Sequence, residues 1–195
     1  MANTLSHLPH IKNMPSGINK WDPVHKSIFE VYFTLPLGIQ STFQAEEALL
    51  TQQVFSVSGL DALQKTTAAG EQKFYGVTAS FLQPTLDTTA ADITIVFNLN
   101  LRNVTDNFVL RVFRAWSKLS YDMSDGTRGI KTDYITDNLR IAEANRNGEI
   151  WRSYVFHHVM LTGVTGLEGL DYTANDAIQL TCTFRADFWD DEIAS

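Results

Sequence analysis

The sequence predicts a mainly β fold, an antiparallel β-sandwich or barrel with one flanking α-helix. Aromatic residues are abundant, with 12 Phe, 6 Tyr and 4 Trp in 195 residues, and such side chains favour strands. Several segments alternate apolar and polar residues with a period of two, which is typical of half-buried strands. Only one long segment has helical periodicity. The predicted order is four strands, one helix and three strands, without the regular helical crossovers of a parallel sheet.

Length and charge restrict the domain organisation and the class of protein. We expect residues 27–195 to form a single β domain, and residues 1–26, which contain three prolines, to form an extended N-terminal arm. Neither a signal peptide nor a transmembrane helix is predicted. The net charge of −7 argues against tight sequence-specific DNA binding, and a single cysteine, Cys182, excludes a disulfide framework.

The first half of the chain holds the first four predicted strands. Residues 28–35 alternate apolar and polar side chains, residues 52–58 form a second strand, and residues 73–82 form a third that Gly76 interrupts. We interpret residues 36–51 as a loop with one or two helical turns. Two further ranges, residues 62–71 and residues 85–91, are predicted to be a loop and a turn.

The clearest strand covers residues 91–101. Its apolar face contains Ile93, Ile95 and Phe97, and these alternate with polar residues on the other side. The polar side chains that we predict on that second face are Asp92, Thr94, Asn98 and Asn100.

The predicted helix covers residues 106–121, with Thr105 or Asp106 as its N-cap. Its apolar residues recur at helical spacing, so one side of the helix can pack on a sheet. The opposite side carries basic residues, which are either a solvated surface or a contact with an acidic neighbouring subunit. These candidate subunit contacts are Arg111, Arg114 and Lys118.

The second half returns to strands. Residues 138–144 and 150–161 flank the Asn-Gly turn of residues 145–148, and residues 177–189 form the last strand. The polar face of that last strand contains Gln179, Thr181 and Thr183. A solvated sheet face usually carries charged residues. Uncharged polar faces therefore suggest burial against copies of the same chain, or the lining of a cavity.

No catalytic, cofactor-binding or metal-binding motif is recognisable, and we predict a protein that is not an enzyme and uses no cofactor. His157 and His158 are adjacent in a strand, so they are expected to point to opposite faces. Asp122 and Asp125 resemble a calcium loop only faintly, because the later ligands are missing. The acidic residues 190–192 are interpreted as a solvated terminal run.

Five short motifs follow one another in the last third of the chain. They are Leu-Arg-Ile-Ala-Glu-Ala at 139–144, Phe-His at 156–157, Leu-Thr-Gly-Val at 161–164, Asn-Asp-Ala-Ile-Gln at 175–179, and Phe-Arg-Ala-Asp-Phe-Trp at 184–189. In this order they resemble the tail tube proteins of contractile-tailed bacteriophages. Phe29, Val31 and Phe33 resemble the first strand of that family, so the resemblance covers residues 27–193.

The resemblance implies a structural subunit that forms hexameric rings, which stack into a tube inside a contractile sheath. The implied partners are further copies of the chain, the tail sheath protein, the tape-measure protein, and baseplate and tail-terminator proteins. Genomic DNA would pass through the lumen without specific binding. An acidic lumen would repel phosphates, and the net charge of −7 is compatible with one, but the sequence does not show where the acidic residues lie. The location would be the tail tube of a virion, assembled in the host cytoplasm.

Within that scheme, we expect the strands at 91–101 and 177–189 to be parts of the inner barrel. The helix at 106–121 would pack on the outside or between subunits. The arm of residues 1–26 and the loop of residues 36–51 are the candidates for contacts between rings.

Three alternatives remain at this stage. The first is a baseplate tube initiator or a secretion-system tube protein. An initiator would form a single ring that does not extend. The second is a monomeric ligand-binding β-barrel, which requires an enclosed apolar cavity. The third is a glycan-active enzyme on a jelly roll, which requires two carboxylates in a cleft.

Overall fold

A computed structural model describes residues 26–63, 65–75, 77–88, 91–99, 107–145, 148–166 and 178–193. Several of the predictions fall on other residues. The arm of residues 1–26, apart from Lys26, lies outside the described residues, and so do Asn100 and the two predicted N-cap residues, Thr105 and Asp106.

Thirteen strands and three α-helices make up the described part of the chain. In chain order they are β1 (Phe29–Phe33), α1 (Leu37–Gln52), β2 (Val54–Ser58), β3 (Lys65–Phe74), β4 (Val77–Thr88), β5 (Ala91–Asn98), α2 (Phe108–Ser120), β6 (Tyr121–Asp122), β7 (Thr127–Arg128), α3 (Lys131–Tyr134), β8 (Ile135–Thr136), β9 (Leu139–Ala144), β10 (Ile150–His157), β11 (Val159–Thr165), β12 (Gln179–Ala186) and β13 (Phe188–Ile193). A short 3₁₀ turn at Leu60–Ala62 follows β2.

Two antiparallel sheets form the body of the molecule. The first sheet has the strand order β1-β9-β10-β13, and the second sheet has the order β2-β5-β12-β11-β8. Every pairing within them is antiparallel. This architecture, with α2 packed beside it, confirms the predicted fold class.

Aromatic side chains join the two sheets and α2 into one core. The ring of Phe33 on β1 lies 5.7 Å from that of Phe97 on β5 and 5.9 Å from that of Phe184 on β12. Phe113 of α2 lies 4.8 Å from Phe97, so the helix packs on the same apolar face. The indole nitrogen of Trp116 donates a hydrogen bond to the carbonyl of Tyr134, which links α2 to α3.

Each of the two longest predicted strands is divided in two by a corner. His158 separates β10 from β11, and Asp187 separates β12 from β13, so both stretches pass from one sheet to the other. His158 has a φ of 51°, which breaks the alternation of side chains at that point. As a result both His157 and His158 contact the ring of Phe188, at 4.5 and 5.4 Å, and the expectation that they point to opposite faces was wrong.

The helices differ from the prediction at two places. α1 is a helix of 16 residues where we expected a loop with one or two turns. Non-helical backbone angles at Phe43 interrupt its apolar periodicity, so the pattern gave little helical signal. α2 begins two residues later than predicted, and its N-cap is Asn107, whose side chain accepts a hydrogen bond from the Leu110 amide at 3.3 Å.

A long hairpin, β3–β4, forms a sheet of its own. Its register runs from Lys65 opposite Thr88 to Phe74 opposite Val77. The predictions of a loop at 62–71 and of a turn at 85–91 were therefore wrong in part, because these small polar residues have little intrinsic preference for strands. Gly76, which we expected to interrupt one strand, falls between two strands and outside the described residues.

Candidate functional site

The predicted polar residues of β5 and β12 share one face of the second sheet. Register places Thr94 opposite Thr183 and Asn98 opposite Gln179. The Gln179 amide donates to the Asn98 side-chain oxygen at 3.3 Å. Six of the seven predicted residues are therefore brought together, and Asn100 is outside the described residues. The six are Asp92, Thr94, Asn98, Gln179, Thr181 and Thr183.

The neighbouring strands extend this face in a way that the sequence pattern did not predict. On one side Ser58 of β2 lies opposite Thr94. On the other side Gly163 and Thr165 of β11 lie opposite Thr183 and Thr181. The strand that we predicted at 150–161 ends before these residues, because the bulge between Leu161 and Gly163 disturbs the alternation that identifies a strand. We call the combined surface of β2, β5, β12 and β11 the polar face.

The polar face is almost free of net charge. The paired residues of β5 and β12 contribute two ionic side chains to it, Asp92 and Arg185. These lie opposite each other at one end of the strands, with 3.9 Å between Asp92 Oδ1 and Arg185 Nη1. They offset each other. The rest of that face on β5 and β12 presents hydroxyl and amide groups together with Val96, which lies opposite Thr181. Such an uncharged surface would neither attract nor strongly repel a polyanion.

The three basic residues of α2 are exposed, as predicted, but they divide into two groups. The Arg111 guanidinium lies 5.7 Å from the centre of the Phe43 ring on α1. Arg114 and Lys118 instead line a surface cavity of about 560 Å³, and Lys118 is 3.6 Å from the Asp122 carboxylate. Apolar side chains from α2 and the second sheet also line that cavity, which we call the α2 cavity; they are Leu110, Phe113, Val164 and Leu180.

The outer face of the first sheet carries an ionic network that sequence reasoning missed. The Arg140 guanidinium lies 3.2 Å from the Ser153 hydroxyl and 3.7 Å from the Glu192 carboxylate. The Ser153 hydroxyl also lies 3.3 Å from Glu192. We had interpreted residues 190–192 as a solvated terminal run. Asp190 and Glu192 are exposed, but the three residues belong to β13 and pair with β10. Only the sheet register, which joins residues far apart in sequence, identifies these partners.

The pKa values of one tyrosine and two aspartates are shifted by hydrogen bonds. At the other edge of the first sheet the Tyr32 hydroxyl donates to Glu30 at 2.5 Å, and this hydrogen bond raises the pKa of Tyr32. In the turn between β6 and β7, hydrogen bonds from Ser124 lower the pKa of Asp122, and hydrogen bonds from Thr127 lower that of Asp125. The two carboxylates therefore stabilise the turn by accepting hydrogen bonds from residues within it.

Burial explains the single thiol. Cys182 is fully buried on the apolar face of β12, and burial raises its pKa well above the ordinary value for a thiol. A neutral, inaccessible thiol is a packing residue and a poor nucleophile. In the described ranges, no group of three His, Cys, Asp or Glu side chains is close enough to hold a metal ion. No helix among those residues is long and apolar enough to cross a membrane.

A second surface cavity, of about 590 Å³, lies at one end of the sandwich. Residues of β1, β2, β9 and β10 line it, among them Phe29, Val57, Ile141 and Trp151. The indole nitrogen of Trp151 is buried and has no hydrogen-bond partner in the described part of the chain. This cavity opens at the end of the sandwich, whereas the ligand-binding barrel that we considered requires an enclosed one.

Comparison with solved structures identifies the fold. The tube-terminating cap of the anti-feeding prophage superposes with a TM-score of 0.54 at 18% identity, over 89% of this chain and 93% of that one. The chain has a tail-tube-like fold. A chain of the sheath–tube complex of the PVC extracellular contractile injection system, in its extended state, also superposes with a TM-score of 0.54, at 17% identity, over 93% of this chain and 99% of that one.

A third structure, the sheath/tube terminator of the PVC system, has a TM-score of 0.49 at 16% identity and covers 88% of this chain and 97% of that one. No protein-family model and no curated protein sequence matches the chain. The tail-tube-like fold is therefore recognised through its three-dimensional structure, at identities too low for the sequence comparisons to detect it.

Proposed function

We propose that this protein is a structural subunit of a contractile tail, most specifically of a phage tail tube. The observation that carries the proposal is the tail-tube-like fold, which aligns over nearly the whole length of chains from a tube-terminating cap and a sheath–tube complex. The function is then self-assembly and passive conduction.

In the proposed assembly, six copies form a ring and the rings stack around a lumen. The polar face lines that lumen. Hydroxyl and amide groups keep such a surface wetted, and a net charge near zero lets a polyanion pass without being retained. The lumen would hold the tape-measure protein and later conduct genomic DNA.

The edges of the sheets support assembly into a closed ring. Among the described strands, β1 and β13 are the two edges of the first sheet, and β2 and β8 are the edges of the second. Exposed sheet edges invite uncontrolled association, and a closed ring covers them. The tail sheath, baseplate and tail-terminator proteins are the further partners of the tube, which would be assembled in the host cytoplasm and act in the virion.

The helix α1 is a candidate for contacts between rings, together with the arm of residues 1–26. We expected this role for a loop at 36–51, and the helix that occupies the region exposes Leu37 and Leu49. Exposed leucines on a surface helix are suited to burial against another subunit.

A cysteine placed on the polar face tests its position in the assembly. Cys182 is buried, so a Thr181→Cys variant carries a single reactive thiol. We expect the isolated subunit to react with a small maleimide and with a maleimide coupled to a polymer of about 5 kDa. The polymer is chosen so that the larger reagent is too bulky to enter a narrow lumen. In assembled tubes the small reagent should still react and the large one should not.

Two other results would contradict the lumenal position. Reaction of assembled Thr181→Cys with the large reagent would place the polar face on the outside of the tube. Protection from both reagents would place it between subunits. The isolated subunit of the same variant, labelled in parallel, is the matched control.

A terminal member of the same machinery is the second candidate. The tube-terminating cap superposes as well as the chain from the sheath–tube complex. A cap or a baseplate tube initiator would form single rings that do not extend, whereas a tube protein, of a phage or of a secretion system, would form stacks.

A further inference from the structure

We propose that residues 20–25, the segment immediately before Lys26, pack into the cavity at the end of the sandwich within the same subunit. We call this cavity, which Phe29, Val57 and Trp151 help to line, the end cavity. The contact itself goes beyond the proposed function and does not depend on assembly. Only its consequence for contacts between rings rests on that function.

The end cavity is shared by the two sheets, and its apolar lining is incompletely covered. Phe29 and Trp151 line it from the first sheet, and Val57 lines it from the second. Phe29, Val57 and Leu60 pack against the core but are only partly buried. The volume of about 590 Å³ lies within the range of roughly 300–1,000 Å³ that is typical of occupied pockets. The cavity can therefore accept a large apolar side chain.

One residue of the lining also has a buried hydrogen-bond donor that lacks an acceptor. The indole nitrogen of Trp151 is buried and has no hydrogen-bond partner among the described residues. A buried donor without a partner destabilises the folded state. A polypeptide segment supplies apolar side chains for the cavity and backbone carbonyls for such a donor, whereas a purely apolar ligand supplies only the first. The occupant that fits is therefore a piece of polypeptide.

The position of Lys26 identifies the segment. Lys26 is the first described residue, and it lines the end cavity, so the residues before it start at the cavity itself. Trp21 is the only aromatic residue among residues 1–25. It is five residues from Lys26, and five residues span at most roughly 17 Å. Because the segment is tethered at the cavity, its effective concentration there exceeds that of a segment from another subunit.

Such a contact has a consequence for the proposed assembly. With residues 20–25 held in the end cavity, residues 1–19 would leave every subunit from the same end of the sandwich. A segment with a fixed starting point loses less conformational entropy when it binds a partner. The contact would therefore direct the rest of the arm towards one neighbouring ring.

Cross-linking of two introduced cysteines tests the contact. The variant Asp22→Cys with Ser58→Cys has one thiol in the segment and one on an exposed residue that lines the end cavity. Cys182 is buried and does not interfere. We expect a short bis-maleimide, added to a dilute solution of the unassembled subunit, to link the two thiols within one chain. Mass spectrometry of the digested monomer band identifies that link.

The matched control is Asp22→Cys with Met123→Cys, in which the second thiol is on an exposed residue of the α2 cavity. Its yield of the link within one chain should be at least about fivefold lower, because the segment is not held near that position. Adding Trp21→Ala to the Asp22→Cys and Ser58→Cys chain should lower the yield by a similar factor, since the side chain that fills the cavity is then missing.

Thermal unfolding gives a second measurement. Trp21→Ala alone should lower the melting temperature of the unassembled subunit by at least about 3 °C, because an aromatic contact between the sheets is lost. Leu5→Ala, which removes an apolar side chain from the arm outside the proposed segment, should leave it within about 1 °C. Circular dichroism establishes that each variant is folded.

Three results would overturn the contact. Links found only between two chains would mean that the segment packs on a second copy. Equal yields at Ser58 and Met123 would mean that the segment is not held at the end cavity. A yield and a melting temperature that Trp21→Ala leaves unchanged would exclude Trp21 as the occupant. Because the unassembled subunit is used throughout, a failure to form tubes would count against the proposed function and leave this test unaffected.

Discussion

At the residue scale, Cys182 shows how burial decides chemistry. Its thiol lies on the apolar face of β12, and desolvation raises its pKa. The sequence alone predicts this position, because Cys182 falls between Leu180 and Phe184 in the alternation of apolar and polar residues along the strand. The same reasoning was less successful for His157 and His158, because the positive φ at His158 is set by the corner between the sheets and leaves no signal in the sequence.

The raised pKa of Cys182 predicts a loss of stability at alkaline pH. Above about pH 8.5 the thiol of the unfolded chain ionises, whereas the buried thiol keeps its proton, so the unfolded state gains about 1.4 kcal/mol per pH unit. Stability contributed by this group is present below the unfolded pKa and decreases as the pH rises.

The measurement is urea unfolding of the unassembled subunit at pH 8 and at pH 10. Between these values the free energy of unfolding of the wild type should fall by about 2 kcal/mol more than that of Cys182→Ala, which lacks the thiol. Tyrosine ionisation affects both proteins alike. Equal decreases in the two proteins would mean that Cys182 is solvated in the folded state.

At the element scale, the sequence predicted the strands and the helix that have a regular local pattern. β5 and β12 alternate strictly and bury every second residue, and α2 has a continuous apolar stripe. The sequence pattern did not predict α1 or the β3–β4 hairpin, for two different reasons. A break at Phe43 disturbs the periodicity of α1, and β3 consists largely of small or polar residues whose pairing depends on β4.

The β3–β4 hairpin is the element that we expect to depend most on other subunits. It forms a two-stranded sheet, which is marginal in water unless something packs on it. Tyr75 at its tip is fully exposed and Phe81 is more than half exposed. Two exposed aromatic rings on a separate hairpin suggest a contact with another copy.

We therefore predict that Tyr75→Ser with Phe81→Ser reduces assembly at least about tenfold and leaves the melting temperature of the isolated subunit within about 2 °C of the wild type. Sedimentation measures the first quantity and circular dichroism the second. Ile130→Ser, a matched loss of an exposed apolar side chain elsewhere, should have no such effect. Unchanged assembly of the double variant would show that the hairpin tip stays in solvent.

At the scale of the whole molecule, the candidate surfaces were only partly predictable. The polar face could be predicted on β5 and β12, where the polar residues alternate with apolar ones within one segment. Its extension by Ser58 and Thr165 could not, because that depends on which strands become neighbours. The network of Arg140, Ser153 and Glu192 likewise joins residues up to 52 positions apart through sheet register.

The same scale explains why structure comparison succeeded where sequence comparison did not. A sandwich requires apolar residues at alternate positions and permits many sequences at each of them. Chains at 17 and 18% identity therefore superpose over nearly their full length. A shared fold does not by itself establish a shared function, so the assembly of the purified chain is the property to measure.

Negative-stain electron microscopy of the purified protein, with its mass measured by light scattering, shows whether the chain assembles into a tube. We expect rings that stack into hollow tubes, with a scattering mass many times the 21.9 kDa of one chain. Single rings that do not extend would favour the cap or initiator function. A uniform monomer of 21.9 kDa that stays monomeric when concentrated would contradict self-assembly and favour a ligand-binding barrel.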